Sequence, residues 1–384
     1  MGLGLSETDY SLAYGFATVV SGCLLPVFGR LCDRFGARVM IPLIAAGLGA
    51  ACLLMSTTQS LTGLYVGFTF VRSLGQGALS LVSAWLVGEW FLRRRGFATA
   101  LAGIGGGLSV MTVPLINVWF VQSYNWQTAW VVLAVAVWVS LVIPAAIFVR
   151  DRPEDLGLHP DGVEPAKFPK NVPELDSNYR EANPTTESWT VYEVVRNLTF
   201  WKLLCVPATS GLVGTGLVFH AVELLGQHGL SSTAALGTIS LQAVFSTVLT
   251  FPAGWATDRW ASRYLLLMAM TSLAIAIVLL QTMPATWLVV VYALLLGIHG
   301  SIMRSTANVV WINYYGRENQ GAVRGAAWSA MILSAAVGPL PLAISTDQFG
   351  SYTPALWLFL ACPIAAAIAV STARPPKRDS STAV

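Results

Sequence analysis

A few ionisable side chains lie inside long apolar stretches of this sequence, where a charge is costly to keep. Arg72 and Arg304 fall deep within apolar runs, whereas the other twenty of the 22 lysines and arginines lie in polar breaks or at the ends of runs. His220 and Glu223 lie near the end of another run. A charge at bilayer depth costs about 3 kcal/mol or more unless it faces a partner or a watery cavity. These residues therefore indicate a path for a solute or a proton.

The composition indicates that the surface faces lipid. Of the 384 residues, 55% are hydrophobic and only 11% are charged, whereas soluble domains carry about 25% charged residues. A helical crossing of the bilayer needs about 20 apolar residues. Eleven runs meet this need: Tyr10–Gly29, Val39–Met55, Leu61–Val87, Phe97–Val121, Trp126–Phe148, Phe200–Leu225, Thr233–Ala256, Leu265–Leu280, Trp287–Ile312, Ala322–Ile344 and Ala355–Val370. Their lengths suit helices rather than barrel strands, so we expect an all-α integral membrane protein with 11 transmembrane helices.

The breaks between the runs predict the orientation. Lysine and arginine occupy alternate breaks, and the breaks between them contain neither residue. The positive-inside rule makes the basic breaks cytoplasmic. We therefore expect a multi-pass protein of the cell (plasma) membrane with its amino terminus outside and its carboxyl terminus in the cytoplasm. The five cysteines lie in apolar runs or in a cytoplasmic break, which argues against a disulfide framework.

An internal repeat divides the chain in two. The segment 29–38, GRLCDRFGAR, recurs at 254–263 as GWATDRWASR, an offset of 254 − 29 = 225. The same shift maps Gly75 onto Gly300 and Gly96 onto Gly321. Parallel repeats are a recurring transporter design. We expect an N-terminal bundle of five spans at 1–149, a cytoplasmic linker at 150–198, a C-terminal bundle of six spans at 199–373 and a cytoplasmic tail at 374–384. The linker ends in a capping box at Thr190–Glu193, which predicts a short surface helix.

The repeat also predicts a missing element. The run Phe200–Leu225 opens the second bundle, and its counterpart would fall before Met1. The repeat predicts six spans in each half, so we expect the first helix of the first half to be absent here, either because the true start lies upstream or because the protein is naturally shortened.

Two motifs resemble those of a known family. The spacing Gly-x-x-x-Asp-Arg-x-Gly-x-Arg in 29–38 resembles the signature loop of the major facilitator superfamily, and the segment from Arg72, RSLGQGA, resembles its fourth-helix arginine motif. The segments 152–157, 219–220, 311–317, 321–325 and 350–354 resemble the bacterial monocarboxylate-transporter-like (oxalate/formate antiporter-like) branch. The resemblance implies the major facilitator fold, with two pseudo-symmetric helical bundles around a central cavity and transport by alternating access.

Arg72, Gln76, Arg304 and His299 are the candidate substrate-binding residues. Arg72 lies about 16 Å into its helix, and Gln76 follows it at i+4 with Gly75 on the same face. Arg304 lies roughly 12 Å from the cytoplasmic end of its helix, and its planar guanidinium suits a carboxylate. The alternatives are arginines that bind backbone carbonyls or reach to the interface, and a histidine that is only packed in the core.

His220 and Glu223 are the candidates for proton coupling. Their i, i+3 spacing places them on one face of the predicted helix, and Glu223 is the only carboxylate well inside any of the predicted spans. Protonation would neutralise a buried carboxylate, and histidine titrates in the useful range. The alternative is a hydrogen-bonded pair at the outer rim without a coupling role.

The two copies of the loop motif are the candidate gate. The resemblance implies that each loop acid docks on a helix start in the other half and holds the cytoplasmic side shut. The repeat then predicts that Asp33 meets the helix beginning near Gly321 and that Asp258 meets the one beginning near Gly96. Alternatively these charges only set the topology. The gating set is Gly29, Asp33, Arg34, Arg38, Gly254, Asp258, Arg259 and Arg263.

Together these features predict a secondary active transporter of a small organic anion, a monocarboxylate, with proton symport. The expected partners are that anion, the proton and the lipid bilayer. The sequence has no Walker motif, metal-ligand cluster or concentrated basic patch, so we expect no enzyme activity, no ATP, no cofactor, no metal and no nucleic acid. A solute antiporter of the same superfamily and a truncated, non-transporting membrane protein remain alternatives.

Overall fold

The computed structural model describes residues 7–92, 94–162, 189–283 and 285–376. Within these ranges the regular secondary structure is helical. Helices α1 to α4 form what we call the first half: α1 (Glu7–Thr57), α2 (Leu61–Trp90), α3 (Arg95–Ser123) and α4 (Trp126–Phe148). Much of the predicted linker, residues 163–188, and the end of the tail, residues 377–384, lie outside the described residues.

The second half follows a short helix, α5 (Val191–Arg196). Its helices are α6 (Leu198–Phe219), α7 (Ala221–Gly226), α8 (Ser232–Thr257), α9 (Ser262–Thr282), α10 (Val289–Thr306), α11 (Val310–Tyr315), α12 (Gln320–Phe349) and α13 (Thr353–Ser371). The capping box that predicted α5 is confirmed, because Thr190 and Glu193 each bond the other's backbone N–H.

The number of membrane-length helices agrees with the prediction. Nine described stretches are long and apolar enough to cross a bilayer. The first of them, Leu12–Thr57, holds two predicted spans, and α3 adds one more, so the described helices account for 9 + 1 + 1 = 11 spans.

Gly36 separates the two spans within α1. Its φ of 73° and ψ of 169° lie in a region essentially restricted to glycine. A Cβ at this position would also meet the carboxylate of Asp151. The break divides α1 into two helical arms, 7–35 and 37–57, one for each predicted span.

The helix bounds follow the repeat. Subtracting 225 maps α8 onto 7–32, α9 onto 37–57 and α13 onto 128–146, which are the first arm of α1, its second arm and most of α4. The start of α12 at Gln320 maps onto Arg95, the start of α3. The two halves contact each other through α1 against α12 and α3 against α8, so the repeat also relates the two contact surfaces.

Two predicted spans are divided in the structure. The run Phe200–Leu225 breaks at His220, whose φ of −99° and ψ of 18° end α6 and begin α7. The run Trp287–Ile312 is divided between α10 and α11. Since apolar composition continues through both breaks, the hydropathy pattern could not locate them.

A π-helical segment interrupts α2. Residues Arg72–Leu79 adopt this wider turn between two α-helical stretches. Such insertions inside α-helices are frequent at functional sites. Within this segment a Cβ at Gly75 would lie 3.3 Å from Leu48, so Gly75 faces the second arm of α1.

We expect Gly36→Ala to destabilise the protein because a side chain must then occupy a glycine-only conformation, at a cost of about 1–3 kcal/mol. Thermal unfolding of the purified protein in one detergent should show a lower midpoint. Gly15→Ala is the matched control, since Gly15 is helical and a Cβ there meets no atom within 4 Å. Equal midpoints for the two variants would contradict the assigned break.

Candidate functional site

Asp33 joins the two halves at the end of the molecule that carries the basic breaks, here named the basic face. Its Oδ1 accepts a hydrogen bond from the N–H of Gly321 at 2.8 Å, and its Oδ2 accepts one from Ala322 at 2.9 Å. These N–H groups belong to the first turn of α12, where backbone donors lack helical partners and the helix dipole favours negative charge. Trp85 of α2 holds the same carboxylate through its Nε1 at 3.0 Å.

Asp258 makes the equivalent contact in the other direction. It accepts from the N–H of Gly96 at 2.7 Å and of Phe97 at 3.1 Å, at the start of α3. Burial raises the pKa of Asp258 to about 6, although these two hydrogen bonds lower it. Both contacts are those predicted from the repeat, whereas their action as a gate stays a prediction.

Glycines allow the helices to cross at these points. A Cβ at Gly29 would collide with the carbonyl oxygen of Gly321, and one at Gly96 would collide with that of Gly254. The converse additions at Gly321 and Gly254 collide as well. Since 29 + 225 = 254 and 96 + 225 = 321, the two crossings are the same contact repeated.

The loop arginines of the predicted gate lie at the periphery of these contacts. Arg34 and Arg259 are exposed and lie over the neighbouring rings of Phe35 and Trp255, at 5.3 Å and 4.3 Å from the ring centroids. The backbone N–H of Arg38 bonds Asp151, and buried Arg263 bonds the Tyr264 hydroxyl. Each of these four contacts lies within one half or its linker.

Glu89 is a major contact of the basic face that the sequence reading missed. It is 1% exposed at the end of α2, and its Oε2 lies 2.9 Å from Arg317 Nη2 and 3.2 Å from Arg152 Nε. Its Oε1 accepts from Gln320 at 2.6 Å. Breaking a buried ion pair by removing one partner typically costs about 3–5 kcal/mol. The missed signal was an acid at the carboxyl end of a helix, where a carboxylate needs cations nearby.

Two fully buried arginines extend these contacts between the halves. Arg95 donates to Asn313 Oδ1 at 3.3 Å and to the carbonyl oxygens of Phe91 and Gly88. Arg324 of α12 donates to the Ala84 carbonyl oxygen of α2. A further hydrogen bond between the halves runs from Ser329 Oγ to the Gly22 carbonyl at 2.6 Å. Asp33, Asp258, Glu89, Arg95 and Arg324 thus bond the two halves to each other at the basic face.

Arg72 lies against an aromatic ring rather than a carboxylate. Its Cζ is 4.0 Å from the ring centroid of Tyr14 in α1, and its Nε is buried without a hydrogen-bond partner. The side chain as a whole is half-buried, and Gln76 is exposed. An unsatisfied buried donor costs about 1–3 kcal/mol, so an acceptor reaching Arg72 would be stabilising.

Arg304 lies where the second half contacts α3 of the first half. Its Nη2 donates to Ser246 Oγ of α8 at 3.0 Å, and its side chain is otherwise exposed. A Cβ at Gly103 of α3 would lie 3.6 Å from Arg304 Cδ, so the arginine stem lies beside the first half. Gly297 and Gly300 face α8, as the close contacts of a Cβ with Phe245 and Ser246 show.

His299 lies apart from Arg304, inside the second half. It is buried, and its Nδ1 is 3.1 Å from the Ala269 carbonyl oxygen of α9. It lines a small cavity of about 40 Å³ together with Tyr292 and Gln242. The structure therefore does not bring His299 and Arg304 together.

His220 and Glu223 do not form the expected pair. His220 lies at the junction of α6 and α7, three residues before Glu223, and the contacts described for its ring are with residues other than Glu223. His220 Nε2 lies 3.3 Å from the Pro339 carbonyl oxygen of α12, and its ring lies 5.6 Å from that of Tyr352. Glu223 is exposed, and no side-chain partner is found for it among the described residues.

Known proteins match this chain over its whole length. The sequence profile described as "Major Facilitator Superfamily" matches residues 2–339 and 224–383. Human "Monocarboxylate transporter 6" is 24% identical over 283 residues, which cover 71% of this chain but only 55% of that relative, so the chain spans about half its length. The "Oxalate:formate antiporter" of Oxalobacter formigenes is 24% identical over 389 residues, 98% of this chain and 86% of that protein. The E. coli fucose:proton symporter superposes with a TM-score of 0.66 at 13% identity, covering 96% of this chain and 91% of the symporter.

We expect the thermal stability of the wild-type protein relative to Asp258→Asn to fall as the pH rises from about 5 to about 7.5. A carboxyl whose pKa is raised on folding, here from 3.8 to about 6, binds its proton more tightly in the folded state. Its contribution is therefore present at low pH and lost as the pH rises through about 6. Unfolding midpoints of both variants at the two pH values measure this difference.

Asp155→Asn is the control for that comparison, since it removes an exposed carboxylate in the same region of the molecule. A wild-type minus Asp258→Asn difference that is independent of pH, or that grows with pH, would contradict the burial assigned to Asp258.

Proposed function

The chain belongs to the major facilitator superfamily and is a multi-pass transport protein rather than an enzyme, and from that premise we propose that it carries a small organic anion, a monocarboxylate, by alternating access with proton symport. The basic face is proposed to be the cytoplasmic side of the plasma membrane, as the positive-inside rule requires. The amino terminus then lies outside and the carboxyl terminus inside.

The observation that carries the anion proposal is the placement of Arg304. Its guanidinium lies on a membrane helix, and its side chain lies beside the first half. The hydrogen bond described for this guanidinium is to the hydroxyl of Ser246, which leaves most of its N–H donors without a protein acceptor. Such a group binds a carboxylate through two parallel hydrogen bonds. Arg72, with its unpartnered Nε, is proposed as the second cation, together with Gln76. His299 is left out of this set because it is buried inside the second half, against the Ala269 carbonyl.

The conformation supports alternating access. The Asp33 and Asp258 contacts, with the glycines that permit them, are proposed to close the basic face, where the hydrogen bonds described between the two halves are concentrated. We interpret this as the state open to the outside. Gly29, Gly254 and the loop arginines 34, 38, 259 and 263 are proposed as the remaining parts of this gate.

Proton coupling is proposed for Glu223 and His220. Glu223 is an exposed carboxylate close to the break between α6 and α7. His220 links that break to α12 through Pro339. A movement of α6 relative to α7 would therefore displace both His220 and Glu223.

The relatives favour a second candidate within the same class. An antiporter of oxalate and formate aligns with 98% of the chain, so exchange of two anions is the alternative to symport. Uptake that depends on an anion preloaded inside the vesicles, and not on a proton gradient, would favour exchange.

Arg304→Ala should reduce uptake of a labelled monocarboxylate into proteoliposomes at least tenfold. A charge-assisted hydrogen bond contributes about 1.5–3 kcal/mol, and 1.4 kcal/mol corresponds to a factor of ten. Arg196→Ala is the matched control, because Arg196 lies over Tyr192 at the surface. If Arg304→Ala protein inserts normally and transports at the wild-type rate, Arg304 is not in the site.

Glu223→Gln should leave uptake insensitive to an inward proton gradient, since the amide cannot carry the proton. Uptake rates with and without the gradient give the ratio to compare. Glu318→Gln, at an exposed position on the basic face, should retain the wild-type ratio. A preserved ratio in Glu223→Gln would exclude this coupling role.

A further inference from the structure

The described beginning of the linker forms a strap beneath the basic face. This strap, residues 151–161, follows the end of α4 and contains the RPEDLG segment. Pro153 is buried, and Gly157 takes a left-handed conformation with a φ of 69°. A short 3₁₀ helix, Pro153–Leu156, thus ends at Gly157, and its first residue is buried against the protein.

Two carboxylates attach the strap to the first half. Asp151 Oδ1 accepts from the N–H of Arg38 at 2.8 Å, immediately after the break in α1. Asp161 Oδ2 accepts from the N–H of Leu92 at 3.0 Å, just after α2. The two ends of the strap are thus held beside the contacts that Asp33 and Glu89 make with the second half.

Between these attachments the strap reaches the second half. Arg152 Nε lies 3.2 Å from Glu89 Oε2, and Glu154 Oε1 lies 3.4 Å from Arg317 Nη1. Since Arg317 Nη2 also lies 2.9 Å from Glu89 Oε2, the charges form the sequence Arg152–Glu89–Arg317–Glu154. This chain of charges begins and ends on the strap, and its Arg317 belongs to the second half.

The geometry has a direct consequence for opening. Arg317 must leave Glu89 and Glu154 when the halves separate at the basic face. Glu89 would keep Arg152, because both belong to the first half and its strap, but Glu154 would lose the partner described for it. Glu154 therefore interacts with the second half only in the closed conformation.

We propose that the strap is a clasp of the basic face, in which Glu154 holds Arg317 and Arg152 positions Glu89 to do the same. This inference rests on the proposed alternating-access function. It assigns the linker an active part in the equilibrium between closed and open states, so that a change of charge in the strap shifts that equilibrium without touching the solute.

Amide hydrogen exchange of the full chain in detergent tests the clasp. The reporter is a peptide that contains Gly321 and Ala322, whose N–H groups are protected by Asp33 in the closed state. Glu154→Gln should accelerate exchange of this peptide about two- to fivefold, as expected for a partly exposed ion pair. Asp155→Asn, which changes the adjacent carboxylate, should leave the rate unchanged.

Two further variants separate the outcomes. In an Arg317→Gln background, Glu154→Gln should add no further acceleration, because the partner is already gone. Equal rates in Glu154→Gln and wild type, or equal acceleration by Asp155→Asn, would overturn the clasp. The exchange is measured without solute, so a failure of the proposed anion transport would show in the uptake assay and leave this result intact.

Discussion

Carboxylates that cap helices belonging to the opposite half hold this structure together at one face. Asp33 binds the first turn of α12 and Asp258 the first turn of α3, each with two backbone N–H donors. These contacts require the helices to approach so closely that only glycine fits at Gly29, Gly96, Gly254 and Gly321. The remaining inter-half contacts near them, including Glu89 with Arg317 and Arg95 with Asn313, are possible because the two crossings fix the distance between the halves.

The same interaction explains why a closed face can also open. When the halves separate, water can replace the contact between a carboxylate and a helix start, because it solvates both the acid and the free N–H groups. The glycine crossings leave no interlocking side chains at the points of closest approach. The basic face is thus held by polar contacts over small residues, whereas the apolar cores of the second half lie within its own bundle, around Trp311 and around Phe359.

Much of this arrangement could be predicted from the sequence, because it depends on periodic or repeated features. The apolar runs predicted the helices, and the family resemblance together with the offset of 225 predicted the partners of Asp33 and Asp258. Features created by tertiary contacts could not be predicted. Glu89 lies just beyond an apolar run, and its burial depends on Arg317 and Gln320, more than two hundred residues away. Likewise, the helix breaks at His220, whose ring contacts the carbonyl of Pro339, 119 residues away. A local sequence pattern could not predict that contact.

The π-helical segment of α2 has no counterpart in the other half. Adding 225 to Arg72–Leu79 gives 297–304, which is regular α-helix in α10. Arg72 therefore corresponds to Gly297, and Arg304 corresponds to Leu79, seven positions further along, or about 10 Å of helix rise. Superposing one bundle on the other leaves the two guanidinium groups at different depths. A molecule that spanned both would meet an unsymmetrical pair of cations, and its two ends would not be interchangeable.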